Sequence, residues 1–90
     1  MRLDQFLRAS RLVLRRTVAQ ELCEAGAVSV NGAPARSSRA VRVGDELTLA
    51  RRASLLTVRV LAVPTARQTS KQESATLFEV IRDERRDDPE

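Results

Sequence analysis

A chain of ninety residues buries only about 60–65% of its unfolded surface, which leaves room for one small domain and no second core. Histidine is absent, cysteine occurs once, and Phe6 and Phe78 are the only aromatics. That composition excludes histidine triads, histidine metal ligands, internal disulfides and thiolate zinc cages, so no catalytic residue, metal site or cofactor is expected. Sixteen basic residues against twelve acidic ones give a net charge of +4.

The charge is unevenly placed. Residues 1–59 carry eleven arginines against five acids, whereas residues 60–90 are net negative. Every basic residue except Lys71 is an arginine, whose planar fork suits phosphates and base edges. A GC-rich genome also favours arginine over lysine, but it does not explain the clustering. No apolar run approaches the roughly 20 residues of a membrane span. The first residues lack the apolar stretch of a signal peptide, so a cytoplasmic protein with no membrane partner is expected.

Leu3, Phe6 and Leu7 fall at helical spacing and predict a short helix over about 3–9. Residues 11–16 read as a basic connector. A second helix begins near Thr17, whose hydroxyl is its expected N-cap. Its apolar stripe is Val18, Ala19, Leu22 and Cys23, its outer face is Gln20, Glu21 and Glu24, and Gly26 stops it. The period then changes to two: Val28 and Val30 precede Asn31-Gly32, a strong hairpin signal, with Pro34 restricting the return strand to an edge. Arg36 to Arg39 form a polar loop, and Gly44-Asp45 a second turn. Leu47 with Leu49, and Leu56 with Val58 and Val60, predict two further strands. Residues 65–74 read as polar linker. Phe78 to Ile81 fit a closing strand better than a helix, and residues 83–90, with seven charges and a proline, predict a frayed tail. The expected fold is α+β, with two N-terminal helices on a small, mostly antiparallel sheet. The expected division is residues 1–63 as the domain, 64–82 as an extension packing on the sheet and 83–90 as tail.

Burying Phe6, Leu7, Val18 and Leu22 between the helices leaves Arg8, Arg11, Arg15 and Arg16 on an outer face. Arg15 and Arg16 stand beside the unpaired amides that open the second helix, an arrangement suited to phosphate. Arg36, Ser37, Ser38, Arg39 and Arg42 extend that surface, and Arg51 and Arg52 join it only if the sheet turns their edge inward. The plainer alternative is a solvated charged face. A DNA-reading helix is disfavoured because Glu21 and Glu24 would meet a phosphate-walled groove. The near absence of aromatics removes a stacking platform for single strands. Cys23 reads as a small hydrophobe of the stripe, and Asp4 and Asp45 as residues bonding a helix end and a turn.

Arg2-Leu3-Asp4-x-x-Leu7, Arg16-x-x-Ala19-x-x-Leu22, Gly26-x-Val28-x-Val30-Asn31-Gly32 and Gly44-Asp45-Glu46-Leu47 occur in this order and spacing. Together they resemble the RNA-binding domain first described in ribosomal small-subunit protein four, the S-four domain, over residues 1–49. Arg15 departs from the family pattern, which carries Ser or Thr before the arginine. Along the whole chain the sequence is similar to stand-alone members of the family. The opening seven residues, the block Ser10 to Thr17 and the late Ala75-x-Leu77-Phe78 resemble a group acting in ribosome quality control; a near relative is a ribosome-associated heat-shock group. The resemblance implies a non-enzymatic, monomeric protein that contacts large-subunit rRNA and the P-site tRNA of a large ribosomal subunit bearing a nascent chain. There it would support tailing of that chain by a factor that delivers charged tRNA. The implied RNA-binding residues are Arg2, Arg8, Arg11, Arg15, Arg16, Thr17, Arg36, Ser38 and Arg39. Rival readings are heat-shock recycling of dissociated large subunits, an RNA-binding subunit of an RNA-modifying enzyme, and a DNA-binding regulator.

Overall fold

Apolar spacing sets the elements, and a computed structural model describes them for residues 1–65 and 70–85. Two helices, α1 (Leu3–Ala9) and α2 (Arg16–Glu24), are followed by strands β1 (Val28–Val30), β2 (Ala33–Pro34), β3 (Glu46–Ala50) and β4 (Ser54–Val60). A short helix, α3 (Lys71–Thr76), and a final strand, β5 (Phe78–Arg85), complete the chain. The strands form one antiparallel sheet in the order β2-β1-β3-β4-β5. This is the α+β arrangement expected from the sequence, with two N-terminal helices on an antiparallel sheet.

The period-two pattern turns one face of that sheet inward. Val28 lies opposite Leu49, Val30 opposite Leu47, Leu47 opposite Val58 and Leu49 opposite Leu56, and all of these side chains are buried. Leu3, Phe6 and Leu7 of α1, each with no exposed surface, fill the core with them, joined by Ala19 and Cys23 of α2. The β1–β2 turn places Asn31 at φ 52 and Gly32 at φ 86, the two left-handed positions that an Asn-Gly hairpin turn supplies at low cost. Asn31 and Asp45 then lock that hairpin to the Gly44-Asp45 turn. The Asn31 side-chain amide donates to Asp45 Oδ1 at 3.1 Å, and its carbonyl accepts from the Glu46 amide at 2.9 Å. Pro34 sits in the edge strand β2, where its missing N–H costs nothing.

Four details differ from the sequence expectation. Helix α2 starts at Arg16, with Arg15 at the cap position and no side-chain cap, so Thr17 lies inside the first turn and does not cap it. A contact between Arg16 and Asp4, described below, draws the helix start one residue earlier. Val18 is 38% exposed rather than part of the buried stripe. Residues 71–74, expected as linker, form α3 together with Ala75 and Thr76, and the Ser70 hydroxyl accepts from the Glu73 amide at 3.1 Å. The signal for it was present as Ser70-x-x-Glu73, a capping-box spacing. Strand β5 runs through Asp83, Glu84 and Arg85, paired with β4 as far as Ser54, so the tail expected from residue 83 begins no earlier than 86. Between Thr57 and Val58 the β4–β5 register shifts by one residue, leaving Ile81 as the extra residue of a bulge. Residues 66–69, and 86–90 of the expected tail, lie outside the described residues.

Phe6 is the largest fully buried side chain and belongs to the core cluster that includes both helices and the sheet. Phe6→Ala should therefore cost about 3–4 kcal/mol, a large part of the stability of a domain this size. Denaturant unfolding is the measurement, and a loss below about 1 kcal/mol would contradict this packing.

Candidate nucleic-acid interface

A carboxylate without exposed surface must be paired, and Asp4, at the start of α1, is such a group. Its Oδ1 accepts from the Gln5 amide at 2.8 Å and from Arg2 Nε at 3.2 Å. Its Oδ2 accepts from Gln20 Nε2 at 3.0 Å, from Arg16 Nε at 3.2 Å and from Arg2 Nη2 at 3.4 Å. One carboxylate thus ties the chain before α1 to the first two turns of α2. Both arginines keep outward surface, with side chains 45% and 43% exposed. Gln20, assigned from sequence to the outer face of α2, is instead part of this joint.

The loop 36–40 reaches the same place because it caps α1. The Leu3 amide donates to the Arg39 carbonyl at 2.8 Å and the Asp4 amide to the Ser37 carbonyl at 3.1 Å. A β-bridge joins Arg2 to Ala40. These bonds satisfy amides that a helix start leaves unpaired, and they carry Arg36, Ser38 and Arg39 to the edge of the arginine joint. Arg36, Ser37 and Ser38 also face Cys23 and Glu24 of α2 across an open notch of about 390 Å³.

On the other side lies the connector. Arg8 stands one helical turn beyond Asp4. Arg11, Arg15 and Thr17 are exposed, and their side chains have no hydrogen-bond or ion-pair partner among the described residues. Arg11 adopts φ 62, a left-handed conformation that an arginine takes at a cost a glycine would avoid. Arg51, at the β3–β4 turn, donates from Nη2 to the Leu12 carbonyl at 3.4 Å, so this edge of the sheet does turn towards the connector. Arg42 lies apart, its amide bonded to Asp45 Oδ2 at 2.9 Å in the second turn. Backbone bonds therefore hold the loop 36–40 beside the start of α1, where Arg2 and Arg16 meet on Asp4. Arg36 and Ser38 face the C-terminal end of α2, while Arg8, Arg11, Arg15 and Thr17 run from the end of α1 through the connector into the first turn of α2.

Sequence reasoning assigned Asp4 only a helix-end bond. Its burial between two arginines was missed because no local pattern reports a contact across twelve residues. By contrast Arg59 lies within 3.6 Å of Glu46 and 3.2 Å of Glu79, and Arg82 within 3.3 Å of Glu84, so these sheet arginines are paired with acids. The Cys23 thiol is pushed up by burial and further by the charges of Asp4 and Glu24, which keeps it protonated and a poor nucleophile. Among the described residues no cluster of acids and thiol has the makings of a metal site, and no helix is long and apolar enough to cross a membrane.

Burial acts on Asp4 most strongly and opposes its charge. The bonds from Gln20, Arg16 and the Gln5 amide together outweigh it and hold the carboxyl below its ordinary 3.8. The folded state therefore binds this proton less readily than the unfolded chain. The resulting stabilisation is complete above the ordinary carboxylate range and is lost as pH falls through it. Asp4→Asn should lower stability by about 1–2 kcal/mol near neutral pH. The gap from the parent protein should narrow below about pH 4, where Asp4 is protonated in the unfolded chain. Thermal unfolding of both proteins across pH 3–7 checks this, and a gap that stays constant with pH would remove the charge from the account.

Comparison with known proteins identifies the family. The S4 domain family, the S-four domain of the sequence reading, matches residues 1–47. The chain is 44% identical to an RQC P-site tRNA stabilizing factor of Halalkalibacterium halodurans over 84 residues, covering 93% of each chain. It is 41% identical to the protein of that name from Bacillus subtilis, covering 94% of this chain and 96% of the other. In three dimensions it is similar to heat shock protein 15 of Vibrio cholerae, with a TM-score of 0.81 at 29% identity, covering 89% of this chain and 80% of that one. The arginine joint of α1 and α2 thus lies within the matched region, and the chain belongs to the S4 domain family.

Proposed function

We propose that this protein is a non-enzymatic RNA-binding factor of ribosome quality control. On this reading it contacts large-subunit rRNA and P-site tRNA on large ribosomal subunits that carry a nascent chain, and so supports tailing of that chain by a factor that delivers charged tRNA. The observation that carries the reading is the convergence of Arg2, Arg16 and the loop 36–39 on the start of α1 and α2, with the unpaired Arg11 and Arg15 beside them. Similarity to RQC P-site tRNA stabilizing factors over more than nine-tenths of both chains supports the biological setting.

The chemistry proposed for this face is phosphate neutralisation. Guanidinium groups displace condensed counterions from an RNA backbone and bond its oxygens, recognising shape rather than sequence. The outer face of α2 carries Glu21 and Glu24, which disfavours insertion of this helix into a DNA groove. The absence of histidine and the protonated thiol give no support to an enzymatic role. A second reading, rescue of dissociated large subunits after heat shock, is favoured by the similarity to heat shock protein 15. Co-purification of a tailing factor with the tagged protein on nascent-chain-bearing large subunits supports the first reading; large subunits without that partner support the second.

The salt dependence of large-subunit binding tests the site itself. Arg2→Ala and Arg16→Ala should each weaken binding and flatten its salt dependence, by about 0.7–0.9 units of slope per phosphate contact removed. Arg59→Ala and Arg82→Ala remove the same charge from acid-paired positions and should change little. Equal affinities and slopes for all four variants would mean that the proposed face is wrong. Arg11→Gly separates binding from folding: relief of the left-handed conformation should hold or raise the melting temperature, by up to about 1 kcal/mol in stability, while binding weakens.

A further inference from the structure

We infer that Asp4 is a positioning residue for the anion-binding arginines, so that a buried negative charge strengthens the binding of an RNA backbone to the protein. The inference rests on the reading of the α1–α2 face as an RNA site.

An ionised carboxylate offers about four lone-pair positions, and Asp4 receives five donor contacts, from Gln5, Gln20, Arg2 twice and Arg16. Its capacity is spent on holding partners. Those partners are held by a particular edge. Arg16 gives Asp4 its Nε, and neither of its Nη groups has a partner among the described residues. Arg2 gives Nε and Nη2 and keeps Nη1. Each guanidinium is thus fixed through its inner edge and presents its outer donors at the half-exposed surface. A free arginine on a surface loses much rotamer freedom when it grips a phosphate; here that ordering is already done on folding.

The two guanidinium groups also repel each other, and the carboxylate between them sets their separation. Lysine cannot replace either one. Its ammonium is a compact point charge with three donors on one nitrogen and no planar fork, so it cannot hold Asp4 and an anion in the two-edged geometry of a guanidinium. Retained charge with lost geometry therefore distinguishes this arrangement from a basic patch.

The sign of one substitution separates positioning from simple electrostatics. Removing a negative charge beside a phosphate site should strengthen anion binding if only net charge matters. If Asp4 positions the arginines, Asp4→Asn should bind large ribosomal subunits about tenfold more weakly, with a shallower salt slope, at temperatures where unfolding measurements show the variant folded. Arg16→Lys should bind as poorly as Arg16→Ala. A structural role alone would lower the melting temperature and leave affinity and slope of the folded protein unchanged. Unchanged or tighter binding by folded Asp4→Asn overturns the inference, as does wild-type binding by Arg16→Lys. If Asp4→Asn does not fold, Asp4→Glu decides, since it keeps the buried charge and moves the carboxylate by one methylene: weaker binding supports positioning and parent-like binding overturns it. If Arg16→Ala binds like the parent protein, the RNA-site reading fails and this inference falls with it. If Arg16→Ala loses binding while folded Asp4→Asn keeps it, only the positioning role fails.

Discussion

A carboxylate taken fully out of water has to recover its hydration from protein donors, and the Asp4 side chain does so by drawing three separate stretches of chain to one point. Arg2 approaches from the N-terminal segment, Gln5 from the first turn of α1, and Arg16 and Gln20 from the first two turns of α2. The position at which α2 begins follows from this contact, because Arg16 enters the helix with its Nε on Asp4 and without a capping hydroxyl. The amides of Leu3 and Asp4, left unpaired by the start of α1, find other acceptors. The carbonyls of Arg39 and Ser37 serve, and the loop 36–40 is held beside the joint as a result. A polar obligation at one residue thus arranges the basic surface around it.

The sheet contributes rigidity more than chemistry. Its inner face, built from Val28, Val30, Leu47, Leu49, Leu56, Val58 and Val60, gives α1 a flat apolar support on which Leu3, Phe6 and Leu7 are fully buried. On the sheet, two arginines are matched to acids: Arg59 to Glu46 and Glu79, Arg82 to Glu84. Near the connector others are not, and Arg11 and Arg15 have no acid beside them.

Local chemistry made much of this legible. The i, i+3, i+4 spacing of Leu3, Phe6 and Leu7 bounded α1, and the alternation around Asn31-Gly32 identified β1 and its hairpin, because helix and strand periods and a left-handed turn are properties of adjacent residues. The ordered motifs over residues 1–49 were enough to indicate the family, and the arginine-rich N-terminal half marked the side of the molecule that holds the candidate site. Even α3 was written locally, in Ser70-x-x-Glu73, although the polar character of residues 65–74 obscured it.

What lay beyond the sequence depended on contacts between distant residues. Asp4 and Gln20 are sixteen positions apart and Arg51 and Leu12 thirty-nine, and neither pairing follows from any local preference. The same holds for the end of β5, where Asp83, Glu84 and Arg85 resemble a tail until β4 offers them a ladder of hydrogen bonds. The sequence by itself determined the helix and strand periods, the turns and the sign of the basic half, because these depend on neighbouring side chains. Only the tertiary structure decided which arginines are tethered, which edge of each faces solvent and which loop lies beside them, because burying one charge forces its donors to come from wherever the fold can supply them.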